Sequence, residues 1–332
     1  MKLTLLAVCL LLASCGGKSS ATRVRVSTLG TGIQVCCMPF VLTQELGFFR
    51  DEGLDVVMES FPSGAKATQA LIGGSADIAV INYVHNVQVA AEGQRVRAFF
   101  VLSQRATNVL IVAPQAASRI QRVEDLKGAV IGVTSPGAAS HLWLNYEMNA
   151  HGIKASEFSV VGIGTGAPAL AAIESGRIDA ASLVGGDHFA ILKRHPDLRV
   201  LVDASTPEGL RESYGSDAYA SGVVTAKQEW LDSNPGTARK LARALRRTMS
   251  WMAAHKPEEI RDRLPGSYRS EDAEVDVRTL RWGLQGPAPD GRMPKGAPET
   301  IKRYLDATVE SVRASKIDLT STWTDEFLPD RI

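Results

Sequence analysis

Apolar positions along this chain follow two rhythms. Short β-branched or apolar runs alternate with longer stretches whose apolar residues recur at helical spacing. Strands are expected at 24–27, 54–59, 77–81, 97–102 and 108–113, with helices at 38–46, 63–72 and 84–91 between them. Punctuation agrees: Pro39 suits a first helical turn, Gly47 and Gly73-Gly74 stop helices, and Ser63-Gly64 caps one. A second unit with the same order begins near Val123, with strands at 129–133, 158–162, 178–183 and 198–202. Its helices follow Ser135–Ser140, carrying Leu142, Leu144, Tyr146 and Met148, and Thr165–Pro168. A return strand at 219–225 precedes helices at 235–254, 271–284 and 298–315. Alternating strands and helices predict parallel sheets covered by crossover helices, an α/β chain throughout. The length of 332 residues is large for one hydrophobic core and suits two lobes.

The N-terminus follows neither rhythm. Lys2 precedes an apolar run at 3–12, then Ala13, Ser14 and Cys15. That run is too short to span a bilayer and reads as a secretory signal peptide, 1–14, removed after export. Leu12-Ala13-Ser14-Cys15 resembles the bacterial lipobox, which implies that Cys15 is lipidated and carries the chain on the membrane of the periplasm or cell surface. The competing reading is an ordinary cleaved signal with a chance cysteine. Residues 15–22 read as a short lipid-anchored tether.

Charge and cysteines narrow the partners. The chain has 37 basic and 36 acidic residues, and loss of Lys2 leaves 36 of each. No Lys/Arg block marks a nucleic-acid footprint. Of four cysteines, Cys9 leaves with the signal and Cys15 takes lipid; the adjacent Cys36-Cys37 pair suits disulfide geometry poorly. With Met38 the pair reads either as a soft metal ligand or as small residues packed beside a pocket. No metal or cofactor is assigned.

In open parallel sheets, ligands bind beyond the carboxyl ends of the strands. The loops expected there, 34–40, 62–65, 135–140 and 164–166, are rich in Gly, Ser, Thr and Pro, and each precedes a helix. Exposed amides and helix dipoles at such turns suit anions or oxygen-bearing groups, although the same residues also start ordinary helices. Nucleotide, serine-hydrolase and zinc-protease motifs are absent, and no catalytic residue is assigned. His85, His141 and His188 fall near these loops. Asp187, in Gly185-Gly186-Asp187-His188, follows a strand and reads either as a carboxylate for a ligand amino group or as a helix N-cap.

Four segments carry a family likeness: 47–56 (GFFRDEGLDV), 73–79 (GGSADIA), 123–133 (VEDLKG with IGV) and 171–180 (AAIESGRIDA). With these the chain resembles the solute-binding proteins of nitrate/sulfonate/taurine ABC importers, a superfamily that also holds binders and synthases of the thiamine pyrimidine precursor. The resemblance implies a type II periplasmic binding protein, with two doubly wound lobes joined by a two-strand hinge. Lobe 1 would take 23–112 and 219–332, and lobe 2 would take 113–218. It implies a non-enzymatic monomer that hands a small solute to a permease and its ATPase. Carried over by position, the pocket takes Met38, Pro39, Phe40, Gly64, Ala65, Asn82, Tyr83, Ser135, Pro136, Gly137, Ala138, Ser140, His141, Gly164, Thr165 and Asp187. No arginine or lysine stands in these loops, so a sulfonate-like anion would rely on amides. Phe40 and Tyr83 would instead stack on a flat ring, the pyrimidine alternative. The iron motif of the synthases is not matched by Cys36-Cys37.

Overall fold

A computed structural model describes residues 21–30 and 33–329. The expected signal peptide, Cys15 and most of the tether lie outside the described residues. The strands are β1 (Thr22–Leu29), β2 (Leu54–Phe61), β3 (Ile78–Asn82), β4 (Val96–Val101), β5 (Val109–Val112), β6 (Val130–Val133), β7 (Ser159–Gly162), β8 (Ala180–Leu183), β9 (Val200–Asp203) and β10 (Gly222–Lys227). They form two five-stranded sheets, ordered β2-β1-β3-β10-β4 and β7-β6-β8-β5-β9. Within each sheet the pairs around β1 and around β6 are parallel. The exceptions arrive from the other sheet: β10 runs antiparallel to β3 and β4, and β5 antiparallel to β8 and β9. The chain therefore crosses between sheets twice, through 102–108 and 204–221.

The first lobe carries α1 (Met38–Glu45), α2 (Phe48–Asp51), α3 (Gly64–Gly73) and α4 (Val84–Ala91). The second carries α5 (Ala139–Ala150), α6 (Ala167–Glu174), α7 (Asp187–Arg194) and α8 (Pro207–Tyr214). After β10 come α9 (Gln228–Ser233), α10 (Pro235–Ala254), α11 (Pro257–Arg263), α12 (Ala273–Gly283), α13 (Ala297–Thr308) and α14 (Glu310–Ala314). Local rules explain the boundaries. Ser63 caps α3 by accepting the Lys66 N–H at 3.4 Å, and Asp272 caps α12 by accepting from Glu274 and Val275. The helix expected over 298–315 breaks at Val309, whose backbone turns extended after β-branched Thr308.

Three apolar clusters hold the layers. One packs Val24, Val26, Phe40 and Phe99 against Leu241 and Leu245 of α10. A second fills the other lobe with Val109, Ile111, Ile163 and Ile173. The third joins the lobes, running from Ile81 and Val87 through Val223 and Leu110 to Trp143 and Tyr304. At this junction α13 packs on both α4 and α5, so the C-terminal segment also touches the second lobe. Tyr214 stands among Tyr146, Tyr219 and Tyr304, with ring centroids 5.9, 5.0 and 5.5 Å away. Its hydroxyl donates to Asn108 Oδ1 at 3.1 Å, tying one crossing segment to the other.

Candidate solute-binding cleft

The parallel strands bring the β1–α1, β2–α3 and β3–α4 turns to one end of the first sheet, and the β6–α5, β7–α6 and β8–α7 turns to one end of the second. These ends meet. A Cβ placed on Gly30 would stand 3.6 Å from Thr165 Oγ1, and one on Gly185 would stand 3.0 Å from Gln34 Oε1. Gly186 approaches α12 so closely that a Cβ there would overlap Thr279.

On the first lobe, the Gln34 carbonyl accepts from the Cys37 and Met38 amides at 2.9 and 2.8 Å, a turn that starts α1. The Gln34 side chain is 2% exposed, and its Oε1 has no partner. Met38, Pro39 and Phe40 are buried, Met38 and Phe40 within the first lobe's core. Phe40 is buried with its ring 4.8 Å from Phe49, and α1 is enclosed along most of its length between the sheet and α10. Tyr83 is also buried, its hydroxyl bonded to Thr322 and its amide donating to Ser221 O. Desolvation pushes this phenol well above its ordinary range. The expectation that Phe40 and Tyr83 stack on a flat ring is therefore corrected, because both rings are buried within core clusters. Asn82 and Ala65 remain half-buried at the sheet end.

Gly64 packs against His85, whose Nε2 would lie 2.9 Å from a Cβ there. His85 Nδ1 pairs with Gln88 Oε1 at 3.0 Å, which makes Nδ1 the protonated nitrogen and leaves Nε2 a bare acceptor. Burial pushes the ring down to about 4, so it is neutral at pH 7. Cys36 and Cys37 are free, buried thiols with sulfurs 3.2 Å apart, and Cys37 Sγ leans toward Val80 O at 3.6 Å. Among the described residues no group of three or more His, Cys, Asp and Glu side chains converges as metal ligands would.

On the second lobe, Ser140 is fully buried and committed to the protein. Its hydroxyl accepts the Thr134 N–H at 3.0 Å, and its carbonyl accepts from Ser182 Oγ at 2.9 Å. It latches the β6–α5 turn, which corrects its expected place on the pocket wall; Ala138 is likewise buried. Ser135, Pro136 and Gly137 keep accessible surface, and Gly137 N–H donates to His141 Nδ1 at 2.9 Å. Desolvation lowers the His141 pKa, consistent with a neutral acceptor ring. Gly164 and Thr165 are half-buried in the neighbouring β7–α6 turn, held by Gly164 N–H to Thr134 O at 3.1 Å.

Asp187 opens α7, but Gly186 is the N-cap and no side-chain cap bond forms. The residue is half-buried, with the Gly166 N–H beside its carboxylate. Surrounding protein pushes it up to about 6.

The seam beside the cleft contains groups that spacing alone did not reveal. His188 stands T-shaped to Trp282 at 5.6 Å, Arg105 lies over the same indole at 5.1 Å, and Arg278 lies over Phe189 at 4.7 Å. Burial pushes His188 down to about 4. Only a polar Gln34 between Ile33 and Val35, and an arginine within the crossing 102–108, hinted at these roles.

This arrangement of two sheets, each crossed by one antiparallel strand from the other, has known counterparts. The NMT1/THI5-like family profile matches residues 35–260. The chain belongs to the NMT1/THI5-like family. A solved structure from Bordetella bronchiseptica RB50 superposes with a TM-score of 0.86 at 32% identity, covering 92% of this chain and 95% of that one. The alkanesulfonate-binding protein SsuA from Xanthomonas axonopodis pv. citri, bound to MOPS, gives a TM-score of 0.70 at 16% identity, covering 91% and 98%. At that identity the likeness is one of fold. YtlA of Bacillus subtilis strain 168, named as a candidate binding protein, is 24% identical over 272 residues, 80% of this chain and 76% of its own. The fold is that of the periplasmic binding proteins.

Proposed function

We propose that this protein is the solute-binding component of an ABC importer, exported and held at the membrane by lipid on Cys15. It encloses a small organic solute between its lobes and presents the closed form to a permease and ATPase. The observation that carries this reading is the meeting of carboxyl-end loops from both sheets, Gly30 with Thr165 and Gln34 with Gly185. A site shared by two lobes binds only when both close, so affinity and closure become one event. Gly64, Ala65, Asn82, Ser135, Pro136, Gly137, His141, Gly164, Thr165 and Asp187 are the proposed wall, joined by Gln34. The protein acts as a non-enzymatic monomer in this reading.

The test is a thermal-shift and small-angle scattering panel of nitrate, alkanesulfonates, taurine and aminopyrimidines. At least one member should raise the melting temperature and reduce the radius of gyration; silence across the panel at millimolar concentration counts against solute capture. Turnover of pyridoxal phosphate would instead favour the synthase-like enzyme. The anchor is tested separately: Cys15→Ser should move the chain from the membrane to the soluble fraction without changing affinity.

A further inference from the structure

The charge of the cleft is the feature the sheet architecture does not dictate. Asp187 has no ion-pair partner among the described residues. The ion pairs on and just beyond α7 form at its far end, where Lys193 meets Asp272 and Glu274, and Arg194 and His195 meet Glu174. Arg105 and Arg278 lie toward the Trp282 side of the helix and bear on His188; no neighbouring charge contributes at Asp187. Among the described residues only the Gly166 N–H bears on its carboxylate, and it does not cap its helix. Two residues before it, the backbone of Gly185 faces Gln34 from the other lobe, a side chain 2% exposed whose Oε1 is unpartnered. Interior carboxylates are ordinarily paired, and interior amides are ordinarily bonded. Here a carboxylate with no charged partner and an amide oxygen with no donor, one from each lobe, stand where the loops of the two lobes meet.

We propose that the solute presents a protonated nitrogen to Asp187, with Gln34 accepting a second hydrogen bond from the opposite lobe. The solute class is a small organic amine, a basic nitrogen heterocycle or a zwitterion, and bare anions such as nitrate are rejected. This rests on the solute-binding reading and fixes the chemistry of that same site. Selectivity follows from the carboxylate, which repels an anion at the position where a cation is attracted. Asp187 thus separates the ligand of this chain from that of a fold relative named for alkanesulfonates.

The experiment is calorimetric titration of the full-length chain in mild detergent with matched probes. These are 2-aminoethanesulfonate against 2-hydroxyethanesulfonate, methylammonium and guanidinium chloride, an aminopyrimidine, and sodium nitrate. Binding confined to nitrogen cations, and lost by roughly 10- to 100-fold in Asp187→Asn, is the expected result. Asn retains an oxygen for the Gly166 amide, so the unliganded variant should melt no lower than the parent at pH 8. Binding of nitrate or 2-hydroxyethanesulfonate with equal or greater affinity overturns the inference while leaving solute capture intact. Undiminished binding by Asp187→Asn, or a lower melting temperature without ligand, also overturns it by making the carboxylate structural. Silence from every probe counts against the inference and the binding reading together.

Discussion

Tyr83 illustrates the residue scale, because it stands beside a cleft turn yet works for the core. Its buried hydroxyl bonds Thr322. Tyr83→Phe should therefore lower unfolding stability by about 1–2 kcal/mol in urea titration and leave solute affinity unchanged. Loops rich in glycine and serine located the strand ends from sequence, but side-chain direction there was not legible. Whether Phe40 faces the cleft depends on Phe49 and α10, which pack over it from elsewhere in the chain. Asp187 was legible as a choice between ligand carboxylate and helix cap, and the geometry removes the cap. Titration separates these residues further. His85 and His188 are pushed down to about 4, so the unfolded chain takes protons near 6.5 that the folded chain refuses. Their contribution, on the order of 3 kcal/mol each, is full above pH 6.5 and lost as pH falls toward 4. Asp187, pushed up to about 6, has the opposite sign, its contribution declining as pH rises from about 4 to 6. Urea midpoints between pH 7 and 4 should accordingly fall more steeply in Asp187→Asn than in the parent; parallel curves would contradict this assignment.

At the scale of elements, strand and helix order was legible because glycine and proline mark most boundaries. Pairings made at long range were not. Nothing in the spacing of 271–284 announces that α12 lies against α7, with Gly186 pressed to Thr279 and Trp282 set edge-on to His188. Likewise, the late break at Val309 and the contact of α13 with both lobes depend on partners far away in sequence. The α7–α12 seam joins a second-lobe helix that begins at Asp187 to a helix packed with the first lobe's core. Removing an indole that carries two aromatic contacts, with His188 and Phe189, and one cation–π contact with Arg105 should cost the closed form roughly 1–2 kcal/mol. Trp282→Ala should then weaken solute binding by about 5- to 30-fold, chiefly through faster release. Stopped-flow dissociation checks this, and an unchanged release rate would place the seam outside the closure mechanism.

For the whole molecule, two crossing segments and a shared core limit how the lobes can move. The junction cluster is continuous from Ile81 through Leu110 to Trp143, and the tyrosines around Tyr214 fill the space beside the crossings. Opening that region would expose the tyrosine rings around Tyr214 to water, whereas opening the front separates glycine-rich loops and the smaller α7–α12 seam. Motion should therefore pivot at the tyrosine side and open where Gln34 meets Gly185. Spin labels report this directly: one pair replaces Lys66 and Pro168, exposed residues at the starts of α3 and α6 near the front, and a second replaces Glu92 and Asn149, exposed near the ends of α4 and α5. The buried Cys36 and Cys37 thiols should react far more slowly than these surface sites. Solute should shorten and narrow the 66–168 distance and leave 92–149 nearly fixed. Equal shifts in both pairs would mean that the lobes translate past one another, and the shared core could not then serve as the pivot.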